Sequence, residues 1–70
     1  MKFKDFESIT ANEGVDVFEI AVDGYVKWTF FTNSTYDMKL MKSCENFTVK
    51  NVKPIRYPSG KMGFWVEVKI

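Results

Sequence analysis

The stretch Phe64-Trp65-Val66-Glu67-Val68-Lys69-Ile70 repeats with a period of two, Phe64, Val66, Val68 and Ile70 falling on one side. Successive side chains of a strand point to opposite faces, so this period specifies a strand with one buried side and one outward side. Trp65, Glu67 and Lys69 occupy the outward side. Upstream, Tyr57-Pro58-Ser59-Gly60 has turn chemistry, because proline presets φ and glycine accepts the left-handed conformation. Folding there sets Val52 opposite Val66, Pro54 opposite Phe64 and Lys53 opposite Trp65, in a hairpin from Phe47 to Ile70. Pro54 has no N–H to give a ladder, which puts its strand at a sheet edge or at a bulge.

A second hairpin is expected from Val15 to Phe31, folded at Val22-Asp23-Gly24. A three-residue loop ending in glycine suits a type I turn followed by a bulge. That register pairs Ile20 with Val26 and Phe18 with Trp28 on one face, and Glu19 with Lys27 and Val17 with Thr29 on the other. It gives an apolar face and a cross-strand ion pair together. A two-residue Asp23-Gly24 turn would place Glu19 opposite Trp28 and mix the faces, so the longer loop is preferred.

Between the hairpins, Ser34 followed by Asp37 resembles a capping box. A helix from Ser34 towards Cys44 would gather Tyr36, Leu40, Met41 and Cys44 on one face. Near the N-terminus, Phe3, Phe6 and Ile9 fit a helical stripe, whereas Met1-Lys2-Phe3-Lys4 alternates like a strand; a short helix ending before Gly14 fits slightly better. The expected fold is therefore one α+β domain over residues 1–70. It has a small antiparallel β-sheet of two hairpins, with a short helix between them packed on the sheet. Its expected core holds Phe18, Ile20, Val26, Trp28, Phe30, Tyr36, Leu40, Phe47, Val49, Val52, Phe64, Val66 and Val68.

A domain of this size lies near the lower limit for folding alone. Burial at roughly 25 cal/mol per Å² nearly cancels chain entropy of about 1.5 kcal/mol per residue. A hydrophobic content of 46% and an aromatic content of 17% allow dense packing and exclude disorder. Cys44 is the only cysteine, so no intrachain disulfide can form, and small secreted domains usually rely on several. No signal-like apolar segment and no membrane-length apolar run is present, so Asn33-Ser34-Thr35 and Asn46-Phe47-Thr48 match the glycosylation pattern by coincidence. A cytoplasmic location without membrane contact is the expectation.

Chemistry finds little to work with. Histidine is absent, and Cys44 lies on the apolar side of the expected helix, where a thiol is inert. Glu13, Asp16 and Asp23 lack the spacing of a calcium loop, and the glycines form no phosphate-binding fingerprint. A non-enzymatic protein with no metal or cofactor is expected.

Charge is unevenly distributed. Residues 1–37 carry three lysines against seven carboxylates, and residues 38–70 carry seven cations against two carboxylates. Either the basic half forms a binding face or paired strands from the two halves neutralise each other; the second reading is preferred. The outward side of the C-terminal hairpin would carry Lys53, Ile55, Tyr57, Lys61, Trp65, Glu67 and Lys69, with Arg56 at the margin of the turn. Water does not call for tryptophan, tyrosine and isoleucine on a sheet face. Either another segment covers them as a second small core, or they meet a partner.

Aromatic anchors within a cationic rim suit a protein interface. The partner would be a larger protein or a second copy of the chain. Single-stranded nucleic acid stacking on Trp65 and Tyr57 is the alternative, weakened by the acidic first half and by the lack of an RNP-type motif. The expected function is thus a small protein-binding regulator or inhibitor that occludes its target. Short chains without catalytic residues, including those phages direct against host machinery, are often of this kind.

Overall fold

Both hairpins form, and they join through their inner strands. The computed structural model describes all residues, 1–70, in the order α1 (Phe3–Ile9), β1 (Val17–Val22), β2 (Tyr25–Phe31), α2 (Thr35–Met41), a 3₁₀ turn (Lys42–Cys44), β3 (Thr48–Arg56) and β4 (Met62–Lys69). The sheet order is β2-β1-β4-β3, and β1 runs parallel to β4. The sheet is therefore mixed, which corrects the expectation of a purely antiparallel one.

The connection between the hairpins explains the parallel pair. β2 ends beside the start of β1, where Phe31 faces Val17, but β3 begins at the opposite end, where Thr48 faces Lys69. The ten residues of α2 and its 3₁₀ extension carry the chain across the sheet. At about 1.5 Å per residue they span roughly 15 Å, most of a strand's length. β3 then runs in the same direction as β2, and β4 must run with β1. Strand position follows composition. β1 buries Val17 and Ala21 on one face and Phe18 and Ile20 on the other, and so sits inside the sheet. β3, with Pro54 and its lysines, takes an edge as anticipated.

The seam pairs Val17 with Gly63, Phe18 with Phe64, Glu19 with Trp65, Ile20 with Val66 and Ala21 with Glu67. No acid stands opposite a base there, so cross-strand neutralisation of the two halves does not occur at the seam. Gly63 is buried, and a Cβ on it would be driven into the Val17 carbonyl. Only glycine permits this approach.

Both helices lie on one side of the sheet. Their Phe3, Phe6, Met41 and Cys44 share a core with Phe18, Ile20, Phe30, Val66 and Val68. Phe3 and Phe6 meet Phe18 edge-on at 5.5 and 6.4 Å between centroids, and Phe6 meets Phe64 at 5.2 Å. The N-terminal segment is thus helical. Its first free N–H groups, on Phe3 and Lys4, donate to the Phe47 and Glu45 carbonyls at 2.9 and 3.0 Å. The Asp5 carboxylate accepts from the Lys2 N–H at 3.3 Å.

Two further expectations change. The first hairpin uses a two-residue turn, with Val22 opposite Tyr25 and both Asp23 and Gly24 at positive φ, 53° and 86°. A bulge at Lys27 then restores the faces, setting Ile20 opposite Trp28 and Phe18 opposite Phe30. The bulge prevents the face mixing that counted against the short turn, and it removes the Glu19–Lys27 pairing. Val26, now opposite Ala21, is turned to the helix-free side, and Trp28 lies half-exposed on the edge strand, stacked on Phe47 at 6.2 Å.

The second change is the rotation of α2. Asp37 accepts from the Phe31 N–H at 2.9 Å, while its own N–H donates to the Ser34 hydroxyl at 3.1 Å. This bond holds Asp37 towards β2, so Met38, Met41 and Cys44 turn inward and Tyr36 and Leu40 face solvent, 70% and 45% exposed. Both had been assigned to the core.

Substituting Gly63→Ala is expected to destabilise the fold by about 3 kcal/mol, since the added methyl group meets backbone that cannot rotate away. Urea denaturation measures this. A loss below about 1 kcal/mol would show that the seam accommodates a side chain.

Candidate functional site

With the helices on one side, the opposite side of the sheet is left to its own side chains. Across the strands, Phe31, Val17, Gly63 and Ile55 form one row, and Thr29, Glu19, Trp65 and Lys53 form the next. Alternation along β3 and β4 thus puts Lys53, Ile55, Trp65, Glu67 and Lys69 on the helix-free side. The register expected for the C-terminal hairpin is the one observed, with Lys53 opposite Trp65. Trp65 is half-buried on this face, outside the helix-side core. The Lys53 ammonium stands 5.1 Å from the centre of its ring.

Tyr57 reaches from the end of β3 to β1, and so across β4. Its hydroxyl donates to Glu19 Oε2 at 2.5 Å, and its ring meets Phe31 edge-on at 6.3 Å. The Lys61 ammonium lies 5.9 Å from the Phe31 ring. Tyr57, Phe31 and Lys61 thereby tie the tip of the second hairpin to the first. The Glu19 carboxylate, accepting this bond, pushes the Tyr57 phenol up to about 12; burial and the Glu19 charge add to the effect.

Of the residues expected at the site, Arg56 does not join. It pairs with Met62, one step out of phase with Lys53 and Ile55, and so points to the helix side. Lys69, opposite Thr48, marks the far end of the face.

Sequence reasoning missed a second exposed apolar surface on the helix side: Tyr36 and Leu40 on α2, with Trp28 on the β2 edge. The missed signal is Asp37, which has a position in the middle of the inward stripe as well as a place in the cap.

Two other features bear on chemistry. A cleft of about 240 Å³ between the end of α1 and α2 is lined by Glu7, Thr10, Val15, Phe18, Thr32 and Met38. The hydroxyls in it are already committed, Thr10 to the Phe6 and Glu7 carbonyls and Thr32 to the Val15 carbonyl at 2.8 Å. Burial, reinforced by Glu45 and opposed by Lys42, raises the Glu7 carboxyl above its ordinary range. Burial also raises the Cys44 thiol, against a hydrogen bond with Ser43, and so disfavours the reactive thiolate. No group of three or more cysteine or carboxylate side chains converges to hold a metal ion. No helix is long and apolar enough to cross a membrane.

No family model, curated protein or solved structure matches the chain.

Because the Tyr57 phenol holds its proton more tightly in the folded state, its stabilising effect is complete below the ordinary pKa of 10.0 and is lost as pH rises towards about 12. Thermal melts across this window should show a steeper loss of stability in the native chain than in Tyr57→Phe. Equal slopes would mean that the bond to Glu19 contributes nothing to folding.

Proposed function

We propose that this chain is a protein-binding module that occludes a partner with the helix-free face of its sheet. The observation that supports this most directly is the position of Trp65. A domain this small has every use for an indole in its core, yet Trp65 stands on the opposite face, half-buried and with a lysine ammonium beside it. Large, rigid rings at the centre of a contact account for much of the binding energy at protein interfaces.

The guarded edges of the sheet favour a face rather than an edge as the contact. On β3, Met1 and Lys2 lie alongside the first residues: Lys2 bridges to Thr48 and the Val49 N–H donates to the Met1 carbonyl at 2.8 Å. A bulge between Val49 and Asn51, and Pro54 beyond it, interrupt the remainder. On β2, the bulge at Lys27 breaks the spacing of the outer edge, and Asp37 takes the Phe31 N–H. Bulges, prolines and covered ends are the devices that stop strands from adding to a sheet.

Single-stranded nucleic acid fits less well. The Lys53 ammonium already lies at one face of the indole, and Tyr57 is held by Glu19 and Phe31. The cations do not line up as a track for a phosphate backbone either: Lys53 stands at Trp65, Lys61 at Phe31, and Arg56 points to the other side of the sheet.

The test is to capture partners from the native cell by crosslinking with Trp65→Ala and Leu40→Ser variants. Trp65→Ala is expected to keep the native circular dichroism, to lose about 1–2 kcal/mol of stability and to weaken partner binding by about 2 kcal/mol, roughly thirtyfold. Leu40→Ser should bind as the native chain does. The reverse pattern would move the contact to the outer side of α2.

A further inference from the structure

We infer that the surface received by this face is acidic: an apolar or aromatic side chain set against Trp65, flanked by carboxylates that meet Lys53 and Lys61. This rests on the reading of the helix-free face as a protein-binding surface, and it specifies what the partner must offer.

The charge imbalance between the two halves of the chain remains available. The seam opposes no acid to a base, so the cations of the second hairpin are not matched there by the carboxylates of the first. Their placement has direction. Lys53 and Lys61 hold their ammonium groups over the Trp65 and Phe31 rings, at 5.1 and 5.9 Å. An ammonium has three donors, and a ring beneath it leaves donors free to meet an incoming acceptor. The acids of the face, by contrast, are withdrawn. Glu19 is half-buried and hydrogen-bonded by Tyr57, and Glu67 is half-buried opposite Ala21 and Asn51. Of the charged side chains that β1, β4 and β3 place on this face, the exposed ones are Lys53 and Lys69, both positive. A partner therefore meets cations first, with an aromatic surface beneath.

A second copy of the chain fits poorly. It would present the same exposed cations, Lys53 and Lys69. A heterologous acidic surface gains from the charge that self-association would have to overcome.

Titration of the isotopically labelled chain, followed by amide and indole N–H resonances, tests this with three probes. The first is a capped peptide of one phenylalanine flanked by aspartates, the second the same peptide with asparagines, and the third an oligothymidylate. The acidic peptide should shift the Trp65 indole N–H and the Lys53 and Lys61 amides. Its binding should be about tenfold tighter than that of the asparagine peptide, and salt should weaken it. Replacing both lysines, in Lys53→Gln/Lys61→Gln, should abolish that difference while leaving the spectrum folded.

Equal binding of both peptides at Trp65 would overturn the acidic requirement and leave the face as the contact. Shifts confined to the surroundings of Tyr36 and Leu40 would overturn both. Tighter binding by the oligothymidylate at Trp65 would replace the protein partner with nucleic acid.

Discussion

Two hairpins that share no turn become one sheet only because β1 and β4 lie parallel and close, and that approach depends on the bare backbone of Gly63 against Val17. Each hairpin alone is a two-stranded ribbon, marginal in water. Joined, they form a four-stranded sheet whose central strands satisfy their backbone on both sides, and whose helix side presents Phe18, Ile20, Val66 and Val68 as one surface. α1 and α2 have somewhere to pack only when that surface exists. The aromatic contacts of Phe3 and Phe6 with Phe18 and Phe64 span the seam directly.

The same seam shapes the other side. It brings Glu19 next to Trp65 and within reach of Tyr57, so the phenol can fasten the second hairpin to the first. Tyr57, Phe31 and Lys61 close one end of the face, and Trp65 with Lys53 is left as its accessible centre. Guarded edges and an unguarded face are complementary consequences of one topology: the two bulged strands lie outside, and the strands with regular pairing to each other lie within.

The second hairpin was legible from its turn back to Asn51, short of the bulge that follows Val49. Its turn residues and two-residue period fix the register, and with it the positions of Lys53, Ile55, Trp65, Glu67 and Lys69 on one side. Arg56 was misjudged although the same register sets it opposite Met62, one step out of phase with Lys53 and Ile55. The first hairpin was misread because a single-residue bulge is invisible to a periodicity argument; Lys27 looks like any outward lysine. The β1 sequence did contain an unused signal. Its nearly continuous apolar run, interrupted only at Glu19, is the pattern of a strand buried on both faces, and so of a central position.

Local chemistry by itself determined where the chain turns, which segments are strands, that α2 begins at Ser34, and which side chains of the last hairpin share a face. These depend on steric limits and hydrogen bonds between near neighbours in sequence. Tertiary structure alone decided that β1 and β4 run parallel, that Asp37 reaches the β2 edge and so turns Tyr36 and Leu40 to solvent, and that Tyr57 finds Glu19. Each of those joins residues distant along the chain or sets the rotation of a helix on a sheet, and no short-range period encodes either.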